Sequence, residues 1–248
     1  MKYFVSSDIH GFYDEWLLAL GKAGFEKLNP EHKIILCGDM FDRGHQPKQI
    51  IDFINDMGDK VILIKGNHED LMEDLIAREK AYGYDVTNGT VDTLYDLSPN
   101  MFINNVSLKI IAENTGLTEI INKCYNYYET DNYIFVHGFI PVNNMNDKNY
   151  SYNKNWRNAD PDEWKQARWI SCVEMYKRKI YEQKKKIVCG HWHCSALWAC
   201  KYPDKYSEFG EKANFDIFKS RNIIGIDACT VCSNKVNVLV VEDTIGGN

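Results

Sequence analysis

A chain of 248 residues, 44% of them hydrophobic, is long enough to bury a full core. Its 35 acidic residues against 29 Lys and Arg leave a net charge of −6, which gives no bulk attraction to long nucleic acid or to an anionic membrane. No apolar run reaches membrane length, and the N-terminus turns acidic too early for a signal peptide, so a cytoplasmic protein is expected.

In chain order, short apolar runs at 2–7, 33–37, 60–65 and 132–136 end in Asp, Gly-Asp, Gly-Asn and His-Gly, which reads as buried strands with functional carboxyl ends. Between them, 12–23 and 47–57 carry apolar residues at helical spacing: Leu17, Leu18 and Leu20 in the first, Ile50, Ile51 and Ile54 in the second. Strand, helix, strand, helix, strand predicts a layered α/β fold with ligands gathered beyond the strand ends. From about 70 to 131 turn residues such as Asn88-Gly89 and Ser98-Pro99 alternate with helical stretches at 71–82 and 117–128, which predicts a helical insert over the site.

A helix is expected over 161–183, with Asp160 as N-cap and Pro161 in the first turn. Lys184, Lys185 and Lys186 then read as cations at its C-terminus that complement the helix dipole, not as a nucleic-acid patch. Strands at 187–189, 223–228 and 236–242 close the sheets, and 195–222 reads as a long loop at the entrance. Eight cysteines include Cys37 and Cys189 in strand-like runs, where a small buried thiol fits. The single Cys229-Thr-Val-Cys232, with Cys194 and Cys200 irregularly upstream, does not make a zinc framework, so free thiols are expected.

Five motifs carry the chemistry: Asp8-Ile-His10-Gly11, Gly38-Asp39-Met-Phe-Asp42-Arg43-Gly44, Gly66-Asn67-His68-Glu69, Val136-His137-Gly138 and Gly190-His191-Trp-His193. Of seven histidines, five fall inside them, beside Asp and Asn residues that share the same metal chemistry. His32 and His45 have no such company and read as surface residues. Because one site then draws on positions 8 to 193, a single domain over 1–248 is expected.

Asp8 and His10, two apart at a strand end, can grip one ion. Asp39 can bridge two ions through its two carboxylate oxygens, and Asn67, His137 and His191 would complete the second. With Asp8 and Asp39 as the anionic ligands, two divalent ions keep positive charge for a hydroxide nucleophile and a phosphate. His68, next to Asn67, is the natural general acid, Asp42 would orient it, and Arg43 offers a forked donor set to phosphate oxygens. His193 either reaches back to the first metal or stands behind the ligands.

As they stand, these residues resemble the calcineurin-like metallophosphoesterases, and Gly-Asp-Met-Phe-Asp-Arg-Gly with Gly-Asn-His-Glu looks like their phosphoprotein phosphatase branch. The resemblance implies a four-layer α/β sandwich, two mixed β-sheets packed face to face with helices outside. It also implies two divalent metal ions, manganese first with iron or zinc as options, and hydrolysis without a covalent phosphoenzyme. Asp8, His10 and Asp39 would hold the first metal, and Asp39, Asn67, His137 and His191 the second. His68 and Asp42 would form the acid pair, with Arg43 and Asn67 on the phosphate. The branch uses a second phosphate-binding arginine, for which Arg168 is the candidate by position and Arg157 its competitor. Gly-His-Trp-His departs from the branch's usual Gly-His-Thr and is similar to the Gly-His-x-His of the wider superfamily, whose second His ligates the first metal. Ser7 and Phe139 are further departures.

The expected activity is that of a serine/threonine-type protein phosphatase acting on a phosphorylated protein or a small phosphoester. The alternative is a symmetrical diadenosine tetraphosphate hydrolase, with Tyr82, Tyr84 and Tyr95 of the insert supplying base stacking. A non-catalytic scaffold on the same fold is a further class, but such a protein should have lost ligands or the acid.

Overall fold

The computed structural model describes residues 1–145 and 149–244; the last four positions of the expected 1–248 domain lie outside them. The first half runs β1 (Lys2–Ser6), α1 (Tyr13–Lys22), β2 (His32–Cys37), α2 (Pro47–Met57), β3 (Val61–Ile64), α3 (Asn67–Arg78), α4 (Gly83–Thr87), α5 (Thr90–Leu97), α6 (Pro99–Ile103), α7 (Leu108–Asn114) and α8 (Leu117–Asn122). The second half runs β4 (Tyr128–Glu129), β5 (Tyr133–Phe135), α9 (Pro161–Ala167), α10 (Cys172–Arg178), β6 (Lys186–Cys189), α11 (Cys194–Lys201), β7 (Phe218–Lys219), β8 (Ile223–Gly225), α12 (Thr230–Ser233) and β9 (Leu239–Glu242).

Two mixed sheets result, with strand orders β3-β2-β1-β9 and β4-β5-β6-β8-β7. Strands β1, β2 and β3 are parallel to one another, as are β5, β6 and β8, and the edge strands β9, β4 and β7 pair antiparallel. The period-two alternation of each strand decides the layering. Tyr3, Val5 and Ile35 point inward and pack with Phe135, Val188 and Ile224 of the other sheet. Phe4, Ile34 and Leu36 point outward under α1 and α2, while Ile134, Ile187 and Cys189 meet the residues of α9 to α11. Helices, sheet, sheet, helices is the four-layer arrangement expected from the sequence, and the described stretch between β3 and β4 is helical throughout its regular structure.

Several local expectations change. In α1 the core face is Trp16 and Leu20, while Leu17 and Leu18 are exposed. Asp160 does cap α9, accepting from Glu163 N at 2.8 Å, but the expected 161–183 helix breaks at 168–171. Arg168 at the C-cap keeps a helical backbone while its side chain forks onto Asp70 across the chain, and the Ala167 carbonyl accepts from Phe139 N at 3.1 Å. The following α10 ends at Arg178, with Lys179 in the left-handed conformation, so Lys184 to Lys186 do not end a helix. Lys185 Nζ lies 2.8 Å from Glu129 Oε1, and Lys186 opens β6. The supposed loop 195–222 contains α11 and β7. His32 is buried, not superficial; its Nδ1 accepts from Glu26 N at 3.1 Å and its ring lies against Phe4 and Phe25. His45, by contrast, is exposed as expected.

Candidate active site

Parallel strands end at one edge of each sheet, so the loops after β1, β2, β3, β5, β6 and β8 converge. Their backbone is held in an unusual state. Among the described residues twelve non-glycine positions have left-handed φ, and seven of them stand here: Asp8, His10, Asp39, Asp42, Arg43, His191 and Cys229. Each such conformation costs about 1–3 kcal/mol and persists where surrounding contacts over-determine it. The contacts are visible. Gly190 lies so close to Ser7 and Asp8 that a side chain there would overlap both, and Gly66 similarly abuts Asp39.

Glu69 ties two of the loops together. Its carboxylate accepts from the backbone N–H groups of Asp39 and Met40, both at 2.9 Å, and of Gly66 at 2.7 Å. Burial, with the negative Asp39 nearby, pushes its pKa up to about 7. Removing it would orphan three buried donors, each costing about 1–3 kcal/mol. Glu69→Ala is therefore expected to lower stability by at least about 3 kcal/mol, checked as a fall in the urea midpoint with unchanged slope.

Asp39 is the centre of the cluster. His137 Nε2 lies 3.3 Å from its Oδ1, and His10 Nε2 and His68 Nε2 lie 3.7 and 3.9 Å from its Oδ2. Asp8 Oδ1 stands 4.0 Å from His10 Nε2, and Asp8 Oδ2 accepts from His191 N at 2.9 Å. Two overlapping groups with metal-ligand spacing emerge among the described residues: Asp39, His137 and His191, and His10, Asp39 and His68.

Whether these residues fit a cation is decided by their tautomers. His137 Nδ1 donates to Cys37 O at 2.8 Å, which turns its Nε2 towards Asn67 Oδ1 at 2.7 Å and Asp39 Oδ1 at 3.3 Å. An imidazole nitrogen, an amide oxygen and a carboxylate oxygen thus converge on one point, a donor set that suits a divalent cation. His10 is set the same way, its Nδ1 donating to Phe41 O at 3.0 Å so that Nε2 faces the carboxylates. His191 donates to the Trp169 carbonyl, and burial together with the neighbouring His137 lowers its pKa to about 3, keeping it neutral. Burial also holds His10 well below the usual imidazole range. Around Asp39, burial favours the neutral acid, but the charge of the histidines that face it, His137 first and then His68, outweighs burial and holds its pKa below the usual carboxylate range. The donor set therefore fits two divalent ions.

His68 behaves differently. Burial pulls its pKa down, yet Asp39 and Asp42 prevail and hold it at about 9. Its Nδ1 donates to Asp42 Oδ2 at 2.7 Å, and Asp42 in turn accepts from Thr90 Oγ1 and Thr93 Oγ1, each at 2.9 Å. Arg43 reaches from the same loop, donating from Nη1 to His10 Nε2 at 3.1 Å and from Nη2 to His68 Nε2 at 3.2 Å. The last contact belongs to the neutral His68 ring; once Nε2 is protonated it turns from acceptor to donor, and an anion between the two groups satisfies both.

Of the residues singled out from sequence, Asp8, His10, Asp39, Asp42, Arg43, Asn67, His68, His137 and His191 come together. Arg168 does not join them. Its Nε and Nη2 form a fork onto Asp70 at 2.6 and 2.9 Å, and Nη1 donates to Asn126 at 2.9 Å, so its donors are spent inside the fold. Arg157 pairs with Glu129 and Glu182 instead. His193 lines the same cavity but belongs to neither metal-spaced group; among the described residues its Nδ1 has no hydrogen-bond partner, and it lies 3.9 Å from Glu208. Among the described residues lining the cavity, Tyr82, Tyr84 and Tyr95 do not appear: the first two pack on each other and both meet Arg78, and the third packs on Phe102.

The cavity, about 280 Å³, also contains residues that sequence reasoning passed over: Asn88, Trp169, Trp192, Asp227 and Thr230. Asp227 carried a usable signal, since it follows an apolar strand as Asp8 does. Burial, with Asp8 nearby, pushes its pKa well up. Thr90 and Thr93 carried none; their role exists only once α5 is packed against the Asp42 loop.

Comparison with known proteins matches residues 1–226 to the family model of the calcineurin-like phosphoesterases. The chain belongs to this family. Within it, a symmetrical bis(5'-nucleosyl)-tetraphosphatase of Buchnera aphidicola subsp. Acyrthosiphon pisum (strain Tuc7) is 31% identical over 67 residues, 27% of this chain and 23% of that protein. An asymmetrical one from Bacillus velezensis is 34% identical over 76 residues, 27% of this chain and 30% of that protein. This calcineurin-like chain thus spans about a quarter of the length of the curated relatives it matches. Its fold is similar to that of a putative diadenosine tetraphosphatase (TM-score 0.53, 12% identity, 99% of this chain and 95% of that one). It is also similar to a cold-active protein-tyrosine phosphatase of a Shewanella species (TM-score 0.57, 18% identity, 97% and 75%) and to a serine/threonine phosphatase of Saccharomyces cerevisiae (TM-score 0.53, 14% identity, 100% and 82%). Among the described residues no helix is long and apolar enough to cross a membrane.

Proposed function

We propose that this chain is a dinuclear metal-dependent phosphomonoesterase of the serine/threonine phosphatase type. The observation that carries the reading is the His68–Asp42 pair at 2.7 Å, set beside the Asp39-centred cluster. An alkoxide released from serine or threonine is a poor leaving group and needs a proton, whereas a nucleotide phosphate leaves readily without one. A buried imidazole held in its protonated form by two carboxylates suits the first task.

Asp8, His10 and Asp39 would hold one divalent ion and Asp39, Asn67, His137 and His191 the other, with manganese the first choice. His193, which lines the same cavity, is proposed as a further ligand of the first. When bound, such ions lower the pKa of a water and offset phosphate charge. The chain's own residues do the rest. Arg43 directs its fork at the non-bridging phosphate oxygens, and Asn67 presents its amide to the same group. His68 Nε2 gives its proton to the leaving oxygen, and Asp42, braced by Thr90 and Thr93, keeps the ring in line.

The local matches to symmetrical tetraphosphatases favour a second reading, hydrolysis of dinucleoside polyphosphates. Turnover of a phosphoserine peptide and of diadenosine tetraphosphate, each with Mn²⁺, separates the two. Peptide turnover is expected; activity confined to the nucleotide would overturn the first reading, and inertness on both would overturn each. A scaffold reading gains nothing from a site whose ligands and acid are all in place.

A further inference from the structure

The floor of the cavity is polar and charged, but its rim is not. Of the six tryptophans, Trp16, Trp156 and Trp164 are buried to 3% exposure or less, as large apolar rings usually are. Trp169 and Trp192 are instead 50% and 38% exposed, and both line the catalytic cavity. They flank the same ligand: the His191 ring lies 5.9 Å from the Trp169 ring and 6.1 Å from the Trp192 ring.

Both indoles are held in place. The turn bearing Trp169 is anchored by the buried Arg168–Asp70 fork, and its carbonyl is fixed by His191. Trp192 sits between His191 N, which donates to Asp8 at 2.9 Å, and Cys194 N, which donates to Asp227 O at 2.9 Å, and its ring stacks at 23° on His193. A rigid, half-exposed aromatic loses little conformational freedom on meeting a flat partner, which is why such residues serve as binding anchors.

Charge selects among partners. Among the described residues lining the cavity, Arg43 is the one arginine or lysine. That suffices for a single phosphate and leaves the further charges of a polyphosphate unmatched, while the rim offers aromatic surface in place of cations.

Resting on the phosphomonoesterase reading above, we propose that Trp169 and Trp192 form an aromatic clamp selecting phosphopeptides with an aromatic residue beside the phosphorylated serine or threonine. Both are specificity residues, since the phosphate itself is held by Arg43 and the ligand cluster.

The test compares two phosphoserine peptides that differ in one flanking residue, Trp or Gly, with the Mn²⁺-loaded protein. The wild type is expected to favour the Trp peptide by about tenfold in kcat/KM. Trp169→Ala and Trp192→Ala should each bring the ratio towards one, and Trp169→Phe should keep most of it. A ratio near one in the wild type, or one that survives in both alanine variants, overturns the proposal. So does a loss confined to diadenosine tetraphosphate turnover, which would assign the indoles to a nucleobase. If neither peptide nor p-nitrophenyl phosphate is hydrolysed, the phosphomonoesterase reading fails, and calorimetric affinities of the two peptides decide the clamp separately. A tenfold difference in wild type that vanishes in the alanine variants supports it, and equal affinities refute it.

Discussion

His68→Asn will slow turnover of a phosphoserine peptide by about 10²- to 10⁴-fold while the protein keeps two equivalents of metal, the loss typical of removing a positioned general acid. The asparagine cannot deliver a proton, but it fills similar space against Asp42 and Thr90. Two uses of His68 are geometrically open, because its Nε2 lies 3.9 Å from Asp39 Oδ2 and it forms a metal-spaced group with His10 and Asp39. Metal analysis separates them: one equivalent of metal in the variant would make His68 a ligand. The leaving group offers a second check. A p-nitrophenolate ester needs little protonation, so the variant should lose far less activity on it than on the serine ester.

Asp39→Asn should have the larger effect on metal. The carboxylate faces His137 through one oxygen and His10 and His68 through the other. Asparagine keeps the shape and the contact from His68 N, seen at 3.0 Å to Oδ1, but gives up the anion. Metal content is expected to fall below two equivalents. Turnover should drop by about 10³-fold or more, since metal stabilisation of the transition state is worth several kcal/mol and each 1.36 kcal/mol is tenfold. Undiminished metal content with undiminished activity would remove Asp39 from the centre of the site.

How much of this was legible beforehand follows from where each interaction lies along the chain. Asp8, Asp39, Asn67, His137 and His191 each stand just beyond the end of an apolar strand, so their place at a sheet edge is a local property that hydrophobic patterning exposes. The same pattern holds for Asp227 after β8, and it could have been read there too. Arg168 shows the opposite case. Its chemistry says phosphate, but Asp70, 98 residues away, takes its fork. A buried guanidinium left unpaired would cost several kcal/mol, so its donors stay with Asp70. The lysines at 184–186 are likewise placed by distant segments: α10 stops at Arg178, Lys185 pairs with Glu129 and Lys186 opens β6.

The sequence by itself determined the layered fold and the convergence of carboxylate, amide and imidazole at strand ends, because each rests on residue type and on spacing within a few positions. Only the tertiary structure decided which arginine lines the cavity, what braces Asp42, and which aromatics reach it. Those outcomes depend on groups from distant segments competing for the same few donors and acceptors. Tyr82 and Tyr84 were spent on Arg78, Arg168 on Asp70, and the rim fell to Trp169 and Trp192.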